Sequence, residues 1–329
     1  MSHKKATLIS LRSLIAATAL SCLATVAHAQ VLGIATNPQG SFYYSAGAAL
    51  AQVIQQKTNM IARIQPMSGS SGYTPLVNRG EIEFGLLNGV DIVSAYTGTE
   101  GFKKNPELRL VGVLLPLRFG IAVPNDSPVK SIKDLKGMRM PSKFTAMTAT
   151  AISQEALLAS GGVSINDMKQ LPVSDYVKGM VMLGDGKVDA VQVCLGCATA
   201  LEVNANLAAH GGLRFLPVAD TPEAKAAMLK VFPSAYTQVF QPSPGYPGVI
   251  GPTRLMAFSA FLMASTHVSD DVVYKVTKAL YQNKQALVTA SATLKDFDPD
   301  FMAEANVVPY HPGAEKFYKE VGQWPARNR

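Results

Sequence analysis

Cys194 and Cys197 stand three apart in Cys-Leu-Gly-Cys. That spacing serves either a small disulfide in an oxidising compartment or a thiol–disulfide redox site. The redox use requires the motif to open a helix after a strand of a thioredoxin-like unit. Val188 to Val193, just ahead of it, reads as a strand, so the local setting allows both uses, whereas chain length and the remaining sequence do not fit thioredoxin. Other signatures of catalysis are missing: no His-Glu-x-x-His, no Gly-x-Ser-x-Gly elbow and no Gly-rich phosphate loop ending in Lys-Ser/Thr. Ser127-Pro-Val-Lys130 has Ser-x-x-Lys spacing, but Pro128 suits a loop better than the helix start that this motif needs. His210, His267 and His311 lie far apart without metal-ligand spacing, and Glu81, Asp134 and Asp189 fall in turns and strands. The expectation is a protein with no catalytic residue, no metal and no cofactor.

What recurs instead is a short polar or Gly-rich turn leading into a helix: Gln39-Gly40-Ser41, Ser68 to Gly72, and Thr145 to Thr148. A helix start presents unpaired backbone N–H groups and the positive end of its dipole. Hydroxyl side chains there can donate to a carboxylate. Ser and Thr cap helices everywhere, so N-capping explains any one of these turns by itself. An anion site requires all three to meet in one cleft, which spacing along the chain does not decide.

The elements that carry these turns alternate. Val31 to Ala35 predicts a buried strand. Ser41 opens an amphipathic helix with Tyr43, Gly47, Leu50 and Ile54 on one face. A half-buried strand over Ala62–Pro66, a turn at 68–72, a short helix over Thr74–Asn78 and a strand over Ile82–Leu86 follow, giving β-α-β-α-β and an α/β sheet. Two apolar runs, Leu110–Leu115 and Phe119–Val123, flank Pro116-Leu-Arg118 and suit a crossing between lobes. Later helices are expected near 149–159, 176–183 and 314–321. Another follows Ser269, with Asp270 and Asp271 in its first turn and Val273, Val276, Leu280 and Leu287 along one face. The Pro- and Gly-rich stretch 242–252 marks a loop and a return hinge.

Composition sets the broad class. Lys4, Lys5 and Arg12, the apolar stretch Leu14–Val26 and Ala27-His28-Ala29 together read as a signal peptide over residues 1–29, cleaved after Ala29, and thus as export to the periplasm. Its apolar run is too short to span a bilayer. Removing it lowers the formal charge from +7 to +4. The remaining Lys and Arg are scattered, which leaves no basic stripe for nucleic acid. About 300 residues is more than one core usually holds, so two lobes are expected.

At these residues the sequence resembles the TAXI family of solute receptors, the extracytoplasmic binding proteins of one class of TRAP transporters. The similar blocks are Gly33–Tyr44 with Gly47 and Ala51, Ser68–Gly85, Ser131–Gly137, Asp185–Ala190 and Val273–Leu280, in order along 31–314 and into the terminal helix. The resemblance implies a type II periplasmic binding protein, with two α/β lobes joined by hinge strands and a ligand cleft between them. Lobe 1 would comprise 31–119 plus 251–329, and lobe 2 would comprise 120–250. It implies a small organic anion as ligand (a dicarboxylate, amino acid or related carboxylate) and a TRAP membrane subunit as partner. Carried onto this chain, the ligand contacts are Gly40, Ser41, Tyr44, Ser70, Ser71, Asn88, Thr145, Ala146, Thr148 and the segment Gln192 to Cys194. Arg118, near the crossing, is a candidate partner for a second carboxylate. Many relatives carry Gly-Ser-Gly-Thr where this chain has Thr145-Ala-Met-Thr148, which points to a ligand bulkier or less polar than glutamate. A periplasmic sensor of the same fold, and a Cys-x-x-Cys oxidoreductase, are the competing readings.

Overall fold

Two long apolar strands organise the molecule. In the computed structural model, which describes residues 31–327, β4 runs unbroken from Leu108 to Pro124 and β10 from Thr253 to Ser265, nearly every residue of both buried. The expected signal peptide and its cleavage point lie outside the described residues. Such continuous hydrophobic runs belong to strands covered on both faces. β4 and β10 pair antiparallel along most of their length.

The other strands attach to opposite ends of this pair. At one end β1 (Val31–Thr36) lies between β2 (Ile61–Pro66) and β3 (Phe84–Asn88), parallel to both. β3 pairs with β10 over Ala260–Ala264. At the other end β7 (Val191–Cys194) and β8 (Leu213–Leu216) join β4 from Phe119 onward, and β9 (Tyr236–Phe240) joins the start of β10. β5 (Arg139–Ser142) and β6 (Lys169–Pro172) form a separate parallel pair. The chain therefore passes twice between the two ends, through the middles of β4 and β10. From Val31 onward it forms one compact unit.

Helices cover this sheet: α1 (Phe42–Lys57), α2 (Ser70–Asn78), α3 (Gly89–Thr97), α4 (Thr148–Ala159), α5 (Tyr176–Gly184), α6 (Ala198–Asn206), α7 (Pro222–Val231), α8 (Asp270–Gln282), α9 (Lys284–Ala290) and α10 (Pro312–Glu320). α1 buries Tyr43, Gly47, Leu50 and Ile54, the face its spacing predicts. Gly47 is required by close packing, since a Cβ there would sit 2.5 Å from the Thr36 methyl. Ser269 caps α8 by accepting from Val272 N–H.

Several expectations change. Leu110–Leu115 and Phe119–Val123 are one strand, not two. Proline survives within it because the second side of β4 is unpaired between the Leu110–Tyr310 bridge and Phe119, and register shifts lie just upstream. α2 begins at Ser70, so Ser70, Ser71 and Gly72 are its first turn rather than a preceding turn. The third strand sits two residues later than its alternation suggests, ending on Asn88. Leu287 belongs to α9, because the preceding helix ends at Asn283. The loop 241–252 joins the neighbouring strands β9 and β10, so the return between the two ends is made by β10 itself.

Candidate functional site

Four helix starts come together where the two ends of the sheet face each other. α1 is capped by Ser41, whose Oγ accepts from Tyr44 N–H at 3.1 Å. α3 is capped by Asn88, whose Oδ1 accepts from Val90 and Asp91 N–H at 3.0 and 2.8 Å. α2 starts at Ser70 behind Gly69, and α4 starts behind Met147. Between them lies a cavity of about 30 Å³, bordered by Tyr43, Ser70, Asn88, Asp91, Ala149 and Ser153 and floored by Leu117, Phe119 and Phe258. The turns at 39–41, 68–72 and 145–148 thus meet, as an anion site requires.

The two sides touch. Ser71 N–H donates to the Ala146 carbonyl at 3.3 Å, and the Ser71 and Thr148 hydroxyls lie 3.4 Å apart. Thr199 N–H donates to the Gly40 carbonyl at 3.3 Å, and Phe42 N–H donates to the Tyr176 hydroxyl at 3.3 Å. Both glycines are needed here. A Cβ at Gly69 would lie 2.0 Å from the Ala146 carbonyl oxygen, and Gly40 combines a φ of +85° with Thr199 Oγ1 at 2.3 Å from the same position.

The negative group at this focus is the protein's own Asp91, 1% exposed. Its Oδ2 accepts from Ser70 Oγ at 2.6 Å and from Asn88 Nδ2 at 3.0 Å. Its Oδ1 has no hydrogen-bond partner. Burial pushes the carboxyl up to about 6, against the bonds from Ser70 and Asn88 and the nearby Ala149 amide. The Tyr43 hydroxyl is likewise buried without a partner, and burial, with Tyr73 and Asp91 nearby, holds its pKa well above the usual tyrosine value. Tyr73, next to it, is satisfied by the Leu86 carbonyl. Unpaired buried polar atoms are costly, and two of them border this one cavity.

The residues singled out from sequence distribute unevenly. Ser70 and Asn88 line the cavity, Ser41 is buried outside its lining, next in sequence to the lining residue Phe42, and Gly40, Ser71, Ala146 and Thr148 make contacts between the two sides. Tyr44 does not line it; its neighbour Tyr43 does. Gln192 stands one layer behind, donating to Ser153 Oγ at 2.6 Å. Thr145 is exposed, its N–H bound to the Val173 carbonyl, and it faces an outer basin. Arg118 and Cys194 line a different hollow, and Arg118 pairs with Asp296 at 2.5 Å. Asp91 went unnoticed in the sequence. Its signal was Asn88-x-x-Asp91 after an apolar strand, a capping-box pattern that ordinarily lies at the surface.

Cys194 and Cys197 form a disulfide. It sits between β7 and α6, but β7 runs antiparallel to β4, unlike the parallel strands of a βαβ redox unit, and both cysteines are buried. Among the described residues no group of three or more His, Cys, Asp or Glu is placed to hold a metal ion. Nor, among them, is any helix long and apolar enough to cross a membrane. A larger hollow, about 880 Å³, opens beside α3 and α4. It meets the side of α4 rather than its start, and its Glu155 and Glu304 already accept from Ile165 N–H and Ser259 Oγ.

Comparison with known proteins bears on family and fold. The sequence profile of the NMT1-like family matches residues 34–322. PhnD1 from Prochlorococcus marinus, solved with methylphosphonate, is similar in structure with a TM-score of 0.56 at 10% identity, covering 89% of this chain and 99% of that one. A binding-protein component of an ABC phosphonate transporter from Pseudomonas aeruginosa gives 0.54 at 9% identity, covering 82% and 80%. A further structure, described as a periplasmic transporter, gives 0.54 at 14% identity, covering 91% and 94%. At such identities the likeness establishes the fold, that of type II periplasmic binding proteins.

Proposed function

Because the chain belongs to the NMT1-like family, we propose that it is an extracytoplasmic solute-binding receptor. It captures a small organic acid between its two α/β lobes and delivers it to a membrane permease, with no catalytic step of its own. The observation that carries this reading is the focus of helix starts from both sides of the molecule on a cavity holding unpartnered Asp91 Oδ1 and Tyr43 hydroxyl. Amide-rich helix starts suit the ligand's negative group. Asp91 suits a hydrogen-bond donor on the same ligand, such as an amino or hydroxyl group. A cavity of about 30 Å³ admits little more than a water or two. Capture therefore involves hinge motion in β4 and β10 that parts Ser71 from Ala146 and Gly40 from Thr199. The lobe limits proposed are those of the sequence reading, 31–119 with 251–329 and 120–250, and the site is placed in the periplasm.

The finer form of the reading keeps the TRAP-type permease that the TAXI resemblance implies. An ABC-type permease is the second reading, favoured by the ABC phosphonate component among the structurally similar proteins. Uptake that collapses with the ion gradient selects the first, and uptake that follows ATP selects the second. The receptor reading itself is tested by thermal-shift titration of the purified protein with amino acids, hydroxy acids, dicarboxylates and alkylphosphonates. A ligand raises the melting temperature by mass action. No response to any organic acid, in protein shown to be free of co-purified ligand, would remove it.

A further inference from the structure

Beyond the Asp91 cavity lies a second chamber of about 310 Å³. Phe42 and Leu117 border both, so they form the wall between them. The chamber is lined mainly by apolar atoms, with Leu195, Leu201 and Tyr246 among its sides. Two cations face it. The Arg118 side chain is only 10% exposed and lies over the Phe240 ring with 5.1 Å from its guanidinium carbon to the ring centroid. One of its nitrogens pairs with Asp296, but its Nε has no hydrogen-bond partner. The Lys295 ammonium stands 3.9 Å from the Tyr246 ring centroid, and no carboxylate among the described residues lies within ion-pair distance of it.

The disulfide acquires a role here. Cys194, Leu195, Gly196 and Ala198 form one side of the chamber, and the Cys194–Cys197 bond ties that short loop. Gly196 adopts a φ of +75° and faces the Tyr246 ring, so the loop is held against the aromatic side of the chamber.

We propose that this chamber is a second binding site, for an organic monoanion with a compact apolar body, such as an aryl or branched aliphatic carboxylate. The carboxylate meets Arg118 Nε and the Lys295 ammonium, and the apolar body fills the space between Leu117, Leu195 and Tyr246. A buried guanidinium nitrogen without a partner and a solvent-facing ammonium stacked on an aromatic ring supply the charge the head group needs. Apolar walls supply the surface the body buries.

The test uses the full chain with 4-fluorophenylacetate as probe, its binding followed by fluorine NMR. Lys295→Gln removes an exposed cation without disturbing the core and should weaken the probe about ten-fold, the ordinary worth of one charge-assisted bond. Ala198→Phe, also at an exposed position, fills the chamber and should abolish binding. Arg118→Gln should weaken the probe as well, but it also breaks the Asp296 pair, so the two exposed variants decide. Asp91→Asn reports on the first cavity and should leave the probe's affinity unchanged. Probe binding that survives Ala198→Phe and Lys295→Gln, or that is lost in Asp91→Asn, would overturn the proposal, as would no binding at millimolar probe. The receptor reading is judged separately, by a thermal shift with organic acids that persists in Ala198→Phe, where this chamber is filled.

Discussion

Ser70 donates its side-chain hydroxyl to Asp91 Oδ2 at 2.6 Å, joining the first turns of α2 and α3, while the other oxygen of the same carboxyl stays buried and unpartnered. This half-satisfied acid sits where helix dipoles favour negative charge, yet burial still prevails and raises its pKa to about 6. Its behaviour is the most direct handle on the site.

Asp91 should make stability depend on pH in a defined window. Its folded pKa, about 6, lies above the ordinary 3.8, so between those values the folded state holds the proton more tightly. Stability is then highest below the lower value, falls as pH rises toward about 6, and is flat beyond. The separation corresponds to roughly 3 kcal/mol. Urea unfolding of Asp91→Asn across this range should lose the slope. A slope equal to that of the parent protein would place the carboxyl in a solvated setting.

Ligand binding should read the same proton. An acid that offers only negative charge must share the cavity with Asp91 and favours its neutral form, so its affinity rises as pH falls through about 6. An acid that turns an ammonium toward Oδ1 favours the ionised form, and its affinity falls over the same range. Calorimetric titration of an amino acid and its deamino analogue measures both trends. Flat profiles for both would remove Asp91 from the site.

Gly69→Ala should hold the two sides apart. Gly69 has a φ of 168°, extended backbone that alanine also adopts, so the substitution carries no conformational strain. Its consequence is a methyl group 2.0 Å from the Ala146 carbonyl oxygen and 2.7 Å from Met147 Cγ. Closure becomes unfavourable, and ligand affinity should drop about ten-fold or more. Small-angle scattering with saturating ligand should show a larger radius of gyration than in the parent.

Tyr43→Phe and Tyr44→Phe form a matched pair. Removing the Tyr43 hydroxyl deletes a buried group without a partner, so stability should hold or rise by up to about 1 kcal/mol while ligand affinity falls. Tyr44 lies outside the cavity, and its variant should bind as the parent does. The opposite ranking would return the role to Tyr44.

Replacing both Cys194 and Cys197 by Ser opens a loop of four residues. The chain-entropy estimate for so short a loop is roughly 2 kcal/mol, a modest loss of stability. Affinity at the Asp91 cavity should be unchanged, since neither cysteine borders it. Disulfide reductase or oxidase activity of the parent protein that disappears in this variant would revive the oxidoreductase reading.

Much of this protein is written locally. Ser41 and Ser269 cap the helices they precede because a cap bonds to N–H groups within three residues of itself. The β-α-β-α-β opening, the buried face of α1 and the Cys-x-x-Cys spacing are legible for the same reason, since each repeats over a few residues. The tertiary structure alone decided what depends on distant neighbours. β4 runs straight through Pro116 because its second side is unpaired there, a fact about sheet order and not about proline. Arg118, read from sequence as a candidate partner for a second carboxylate, already pairs one nitrogen with Asp296, 178 positions away. Asp91 looks like an ordinary surface capping residue until Ser70 and Ala149 close over it. Burial, and with it the pKa and chemistry of a carboxyl, is set by atoms brought from elsewhere in the chain, and sequence spacing does not encode which atoms those are.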